Sequence, residues 1–224
     1  MTRICIIYFS QFKGATEKLG EAIARGAATV PEIQTRLIRV EDVDDHWADL
    51  HAADAIVFGT PTYMGSIAEG FKVFVEKLAG EVWLKRLWVN KVAAGFTVSA
   101  GRSGDRLNCL QQLVIFAAQM GMIWVPVRIT VGNYSSAGSE ADLNRMAGYI
   151  DLMAQANIDE PVELAPPPSD IETAEMHGHH VARVARQYAL GRRELAADYD
   201  TYATTAIDAA HAPAALSQLM SERE

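Results

Sequence analysis

Cysteine is scarce in this chain. Cys5 and Cys109 are the two among 224 residues, and they form no CxxC pair. That argues against a disulfide framework and a dithiol redox motif, and leaves both thiols as small core residues of a protein kept in a reducing cytoplasm. Positive charge is also short: 20 Lys and Arg stand against 28 Asp and Glu, a formal net charge of -8. This speaks against binding along a nucleic-acid backbone or an anionic membrane surface. A single phosphate held by backbone amides needs no such charge and stays open. The longest apolar runs fall well short of the roughly 20 residues of a membrane span, so no membrane insertion is expected. The chain opens in a strand-like run, and no signal peptide is visible.

Several chemical signatures are missing as well. There is no GxxxxGK[ST], no GxGxxG after the first apolar run and no GxSxG elbow. A receiver domain needs an acidic cluster at the end of its first strand, where this chain has Ser10 and Gln11. No carboxylate pair or Ser/His/Asp order stands out. If chemistry occurs, a cofactor is expected to supply it.

What is present is an alternation. Arg3–Phe9, Ile33–Val40, Asp54–Thr60, Val92–Val98 and Met122–Ile129 read as strands. Apolar positions at helical spacing mark helices over about Ala15–Thr29, Ser66–Leu78, Leu107–Met120, Glu140–Ala156 and, capped by Ser169, to about Leu190. Four of the five strands are apolar throughout, the pattern of a parallel sheet covered on both faces. The fold class predicted is α/β: a flavodoxin-like, doubly wound, five-stranded parallel sheet of order 2-1-3-4-5. In such a sheet, ligands sit beyond the carboxyl ends of the first, third and fourth strands.

Three loops fall there: Ser10–Thr16, Pro61–Gly65 and Ser99–Asp105. The first lies between a buried strand and a helix start, where free backbone N–H groups and the helix dipole favour a phosphate. Each loop also has a plainer reading, as helix cap, turn or mobile segment. Their convergence at one switch point favours a bound polar cofactor with a flat ring.

The segments YFS…GATEKL, AIVFGTPTYMGSIAEGFKVFVEKL and AAGFTVSAGRSGD…LQQLVIFAAQMGMIWVPV resemble the flavodoxin-like NAD(P)H-dependent oxidoreductases. The nearest branch is that of the WrbA-type NAD(P)H:quinone oxidoreductases and NADPH-dependent FMN reductases. The helix SDIETAEMHGHHVARVA resembles the closing helix of that family. The resemblance implies an FMN-binding domain over 1–191, followed by an Ala-rich extension, 192–224, that is helical or partly disordered. It implies FMN as cofactor and NAD(P)H as co-substrate. Ser10, Phe12, Gly14, Ala15 and Thr16 would hold the phosphate. Pro61, Thr62, Tyr63, Met64 and Gly65 would lie along the ring. Thr97, Val98, Ser99, Gly101, Gly104 and Asp105 would flank the pyrimidine side and the ribityl chain.

The implied function is ping-pong hydride transfer from NAD(P)H through FMN to a quinone-like small molecule, in a homodimer or homotetramer. Tyr63 is the candidate catalytic side chain, as ring-stacking or proton-donating group. A flavodoxin-like electron carrier that docks on a redox protein is the alternative, and a regulatory module without flavin a third. Two departures from the family pattern stand out. The first loop carries an extra residue near Lys13, and Met120 stands where many relatives have a His before Gly121. No metal site is expected, and the HGHH run at His177–His180 reads as a solvated helix face. Trp83, Trp88 and Trp124 are candidates for a substrate cleft, Trp83 as a roof over the ring and Trp124 more simply as core.

Overall fold

Successive residues of the central strands point into two different cores. In β1 (Thr2–Tyr8), Ile4, Ile6 and Tyr8 face one and Cys5 and Ile7 the other. This is the two-residue period of a strand buried on both sides, and it explains the unbroken apolar runs. The computed structural model describes residues 1–11 and 14–195. Phe12, Lys13 and the expected extension beyond residue 195 lie outside the described residues.

After β1 come α1 (Ala15–Ala28), the edge strand β2 (Ile33–Arg39), a single 3-10 segment (Val40–Asp45) and α2 (Trp47–Ala52). Then follow β3 (Ala55–Tyr63), β4 (Ser66–Ile67), α3 (Glu69–Lys77) and α4 (Glu81–Leu84). The chain continues through β5 (Val92–Ser99), α5 (Arg106–Gln119), β6 (Ile123–Trp124), β7 (Leu152–Gln155) and α6 (Pro168–Glu194). The main ladder runs β2-β1-β3-β5-β6, the flavodoxin-like order. Helices α1 and α6 cover one face with Leu19, Ile23, Ala174 and Val181. Helices α2, α3, α4 and α5 cover the other with Leu50, Phe71, Val82 and Leu113.

Four local expectations are corrected. First, among the described residues the sheet has seven strands, not five. The fifth position is divided: β6 pairs with Val92 and Ala93, and β7 pairs with Phe96 to Ser99. Second, the helix expected over Glu140–Ala156 is absent. Its apparent stripe lies in irregular chain between β6 and β7, and Leu152–Gln155 is instead a strand, with Leu152 and Ala154 inward. Third, Pro61–Gly65 is no open loop. Strand β3 continues to Tyr63, and Met64 (φ 48°) and Gly65 (φ 77°) turn the chain back into β4. Both central residues are left-handed, as a two-residue hairpin turn requires. The helix expected from Ser66 therefore starts only at Glu69. Fourth, Ser169 is no cap. Pro167 holds that position, and the Ser169 hydroxyl donates to the Glu140 carbonyl at 2.8 Å.

Candidate functional site

At the carboxyl ends of the central strands, a cleft of about 440 Å³ is lined by Gln11, Ala15, Thr16, Pro61, Tyr63, Val98, Ser99, Ala100, Ala156, Asn157 and Ile158. It joins four segments, three of which are the loops read from the sequence. Its size falls within the range of small-molecule and cofactor pockets.

One end is built from α1 and the turn before it. Gly14 is left-handed (φ 70°) and occupies the N-cap position, and among the described residues no side chain caps the first turn. The leading N–H groups of α1 are thus presented without a side-chain partner, at the positive end of the helix. Ser10, just after β1 and next to the lining residue Gln11, is not itself a lining residue; it is 8% exposed, and among the described residues its buried Oγ has no hydrogen-bond partner. A buried, unsatisfied hydroxyl next to an uncapped helix start is the chemistry a phosphate satisfies. Thr16 is buried on the same wall. Behind it, the Tyr8 hydroxyl donates to Glu17 Oε1 at 2.7 Å, and Arg39 donates to the Ser10 carbonyl at 3.3 Å. Burial, aided by Glu17, pushes the Tyr8 phenol well above its ordinary pKa.

The other end is less polar. Pro61 and Tyr63 come from the β3–β4 hairpin, and Val98, Ser99 and Ala100 from the end of β5. Burial raises the Tyr63 phenol, which therefore keeps its proton at neutral pH. Thr62 and Thr97 do not line the cleft. Their hydroxyls meet each other at 2.7 Å in the buried layer beneath it, against Cys109. The hairpin tip is fastened from α5, whose Asn108 amide donates to the Gly65 carbonyl at 2.6 Å. Met64 at that tip is fully exposed. Gly101, Gly104 and Asp105 lie in the loop beyond Ser99, off the cleft wall, and Asp105 begins α5 in a left-handed conformation.

The wall that sequence reasoning missed is Ala156, Asn157 and Ile158, which follows β7. The available signal was the inward-outward alternation of Leu152–Gln155 followed by a turn-forming Asn. A buried ionic layer supports this wall. Arg145 grips Asp170 through Nε–Oδ1 at 2.8 Å and Nη2–Oδ2 at 2.9 Å, and Asp170 Oδ2 accepts the Gln155 N–H at 2.8 Å. Burial raises the Asp170 pKa against the opposing pull of Arg145. Arg106, 1% exposed, donates to the Ala154 carbonyl, and burial lowers its pKa to about 10.

His177 is not on a solvated face. It is wholly buried, with Nε2 at 2.7 Å from Asp151 Oδ1. His179 Nδ1 lies 2.7 Å from the Thr29 hydroxyl. Among the described residues no group of three or more His, Cys, Asp or Glu side chains is placed to hold a metal ion. No helix among them is long and apolar enough to cross a membrane. Trp83 is 40% exposed on α4 and is not among the cleft's lining residues, Trp88 is fully buried, and the half-buried Trp124 donates to the Ile150 carbonyl at 3.0 Å.

Comparison with known proteins places this geometry. Residues 2–136 match the family model described as NADPH-dependent FMN reductase. "Flavodoxin FldP" of Pseudomonas aeruginosa is 34% identical over 191 residues, covering 84% of this chain and 98% of that protein. "NAD(P)H dehydrogenase (quinone)" of Geobacter sulfurreducens is 27% identical over 204 residues, covering 81% and 97%. A crystal structure of a flavodoxin, WrbA-like protein from Agrobacterium tumefaciens superposes with a TM-score of 0.64. It is 37% identical, with 84% of this chain and 99% of that one covered. The chain belongs to the flavodoxin-like NAD(P)H oxidoreductases, in the NADPH-dependent FMN reductase family.

Proposed function

We propose that this protein is an FMN-dependent NAD(P)H oxidoreductase that delivers electrons to a quinone-like small molecule. The observation that carries the reading is the cleft itself: a helix start with no side-chain cap among the described residues at one end, close in sequence to the unsatisfied buried hydroxyl of Ser10, and a largely apolar wall with Tyr63 at the other. FMN supplies the two-electron transfer between NAD(P)H and the acceptor. The protein binds and orients it. Ser10, Thr16 and the first-turn amides of α1 hold the phosphate. Pro61, Tyr63, Val98 and Ser99 confine the ring and keep water from it. Tyr63, protonated at neutral pH, stacks on the ring or donates a proton at its rim. No side chain among the described residues need act as an obligatory acid or base. We place it in a reducing cytoplasm, where the buried thiols of Cys5 and Cys109 stay unpaired, and in a homodimer or homotetramer.

A second reading has its own support. The 34% identical relative is named a flavodoxin, which favours an electron carrier docking on a protein. One experiment separates the two. The purified protein, reconstituted with FMN and showing its yellow spectrum, is mixed without oxygen with NADH or NADPH, then with a benzoquinone. Bleaching by nicotinamide and parallel double-reciprocal plots over many turnovers support the enzyme. Reduction by a protein partner alone supports the carrier, and failure to bind FMN defeats both. Tyr63→Ala is expected to slow turnover; unchanged turnover with every acceptor removes Tyr63 from the mechanism.

A further inference from the structure

The outer edge of β5 changes partner midway. Its pairing with β6 ends at Ala93 and its pairing with β7 begins at Phe96, so Ala94 and Gly95 have no strand residue opposite. A buried amide left there needs an acceptor. Asp151 supplies one: the Gly95 N–H donates to Oδ2, and the Leu152 N–H donates to Oδ1 at 2.9 Å. The carboxylate thus stands in for the strand carbonyl missing at the break. A wholly buried carboxylate needs a counterpart of its own, and His177, equally buried on α6, places Nε2 2.7 Å from Oδ1.

The location of this contact matters. Four residues beyond Gly95, β5 ends in the Val98–Ala100 wall. Directly after Asp151, β7 runs into the Ala156–Ile158 wall. Two of the three segments that form the ring end therefore start from one point. The helix that carries His177 also packs backbone to backbone on α1: a Cβ on Gly178 would lie 2.1 Å from the Ile23 carbonyl oxygen. Helix α1 holds the phosphate end, so α6 braces both ends of the cleft.

We infer that Asp151 and His177 are positioning residues for the flavin: their buried contact closes the break between β6 and β7 along the edge of β5 and so sets the ring end of the cleft, without touching the cofactor. The inference rests on the placement of FMN proposed above.

The test titrates apoprotein with FMN and with riboflavin, which lacks the phosphate, and records melting temperature alongside. Asp151→Ala is expected to weaken both flavins by the same factor, about tenfold, the size of one lost buried hydrogen bond. Asp151→Asn, which keeps an acceptor for Gly95, is expected to rescue most of that loss, to within about threefold. His177→Gln falls between them, and these two variants carry the test if Asp151→Ala does not fold. A lowered melting temperature with both affinities intact overturns the inference. A loss confined to FMN overturns it too, because the phosphate end would then be what the pair controls. Ser10→Ala isolates the underlying placement. Weaker FMN with unchanged riboflavin upholds the phosphate position whatever Asp151 does, whereas no change in either removes the placement and the inference with it.

Discussion

The two ends of the cleft are constructed in opposite ways. The end proposed for the phosphate is local: Ser10, Gly14 and Thr16 lie within seven residues of sequence, and the groups they offer are hydroxyls and backbone amides. The ring end draws on the β3–β4 hairpin, the end of β5 and the chain after β7, and it is held by buried charges behind the wall. A local anion cradle costs little to assemble, because one helix start orients its donors. A non-local wall needs each distant segment pinned separately, and buried ion pairs do that at the risk of a large penalty if one partner is lost.

The largest effect should follow from breaking the ring-end support. Arg145, its side chain 5% exposed, is the cation that grips Asp170, itself 2% exposed. Arg145→Met leaves that carboxylate buried and unpaired, at a cost of about 3–5 kcal/mol. For a chain of this size that corresponds to a fall in melting temperature of roughly 10 °C. Glu140→Gln, on the same arginine but half-exposed, should leave the melting temperature unchanged, because exposed pairs contribute little. Similar melting curves for Arg145→Met and wild type would show that the ring end does not depend on its ionic layer.

A smaller, sharper effect tests the other end. Ser10→Ala combined with Thr16→Val removes the two hydroxyls proposed to hold the phosphate. Hydrogen bonds to a charged group contribute about 1.5–3 kcal/mol each, so FMN affinity should fall by roughly a hundredfold or more. Riboflavin affinity should stay within about twofold, a difference too small for a lost hydrogen bond. Fluorescence titration of both flavins reads this directly. Equal losses for the two ligands would mean that the ends are not independent.

The same contrast governs what could be read from the sequence. Strands β1, β3 and β5 are legible because burial on both faces leaves an apolar run, and the start of α1 after Gly14 is legible because its signals are contiguous. The last wall was not. Leu143, Met146, Ala147 and Ile150 carry helical spacing, yet the chain there is irregular. β7 is four residues long and exists because β5 offers an open edge at Phe96–Ser99, a fact that local periodicity does not contain. His177 reads as part of a solvated helix face until the fold buries it against Asp151. Thr62 and Thr97, separated by 35 positions, look like ligands until the register of β3 and β5 turns their hydroxyls on each other.

The smallest effect comes from the far end of β5, and it checks whether stability and flavin binding can be separated. Lys91, 7% exposed, donates to the His51 carbonyl at 2.7 Å, and burial lowers its pKa to about 8. In the unfolded chain a lysine keeps its proton up to about 10.4. Between those values the unfolded state binds more protons, so the wild type should gain stability as pH rises through this window. Below pH 8 the amine is charged in both states and the slope vanishes. Cys5, raised by burial to about 11, titrates with the opposite sign, but a comparison with Lys91→Met carries Cys5 in both proteins. Urea unfolding at pH 7.5 and 9.5 should show the wild type gaining about 1–2 kcal/mol relative to Lys91→Met. FMN affinity should be equal in the two proteins at both pH values, because Lys91 lies at the end of β5 opposite the cleft. A constant stability difference would mean that the amine is not desolvated. An affinity that follows stability would mean that the ring end responds to the whole sheet rather than to the residues that pin it.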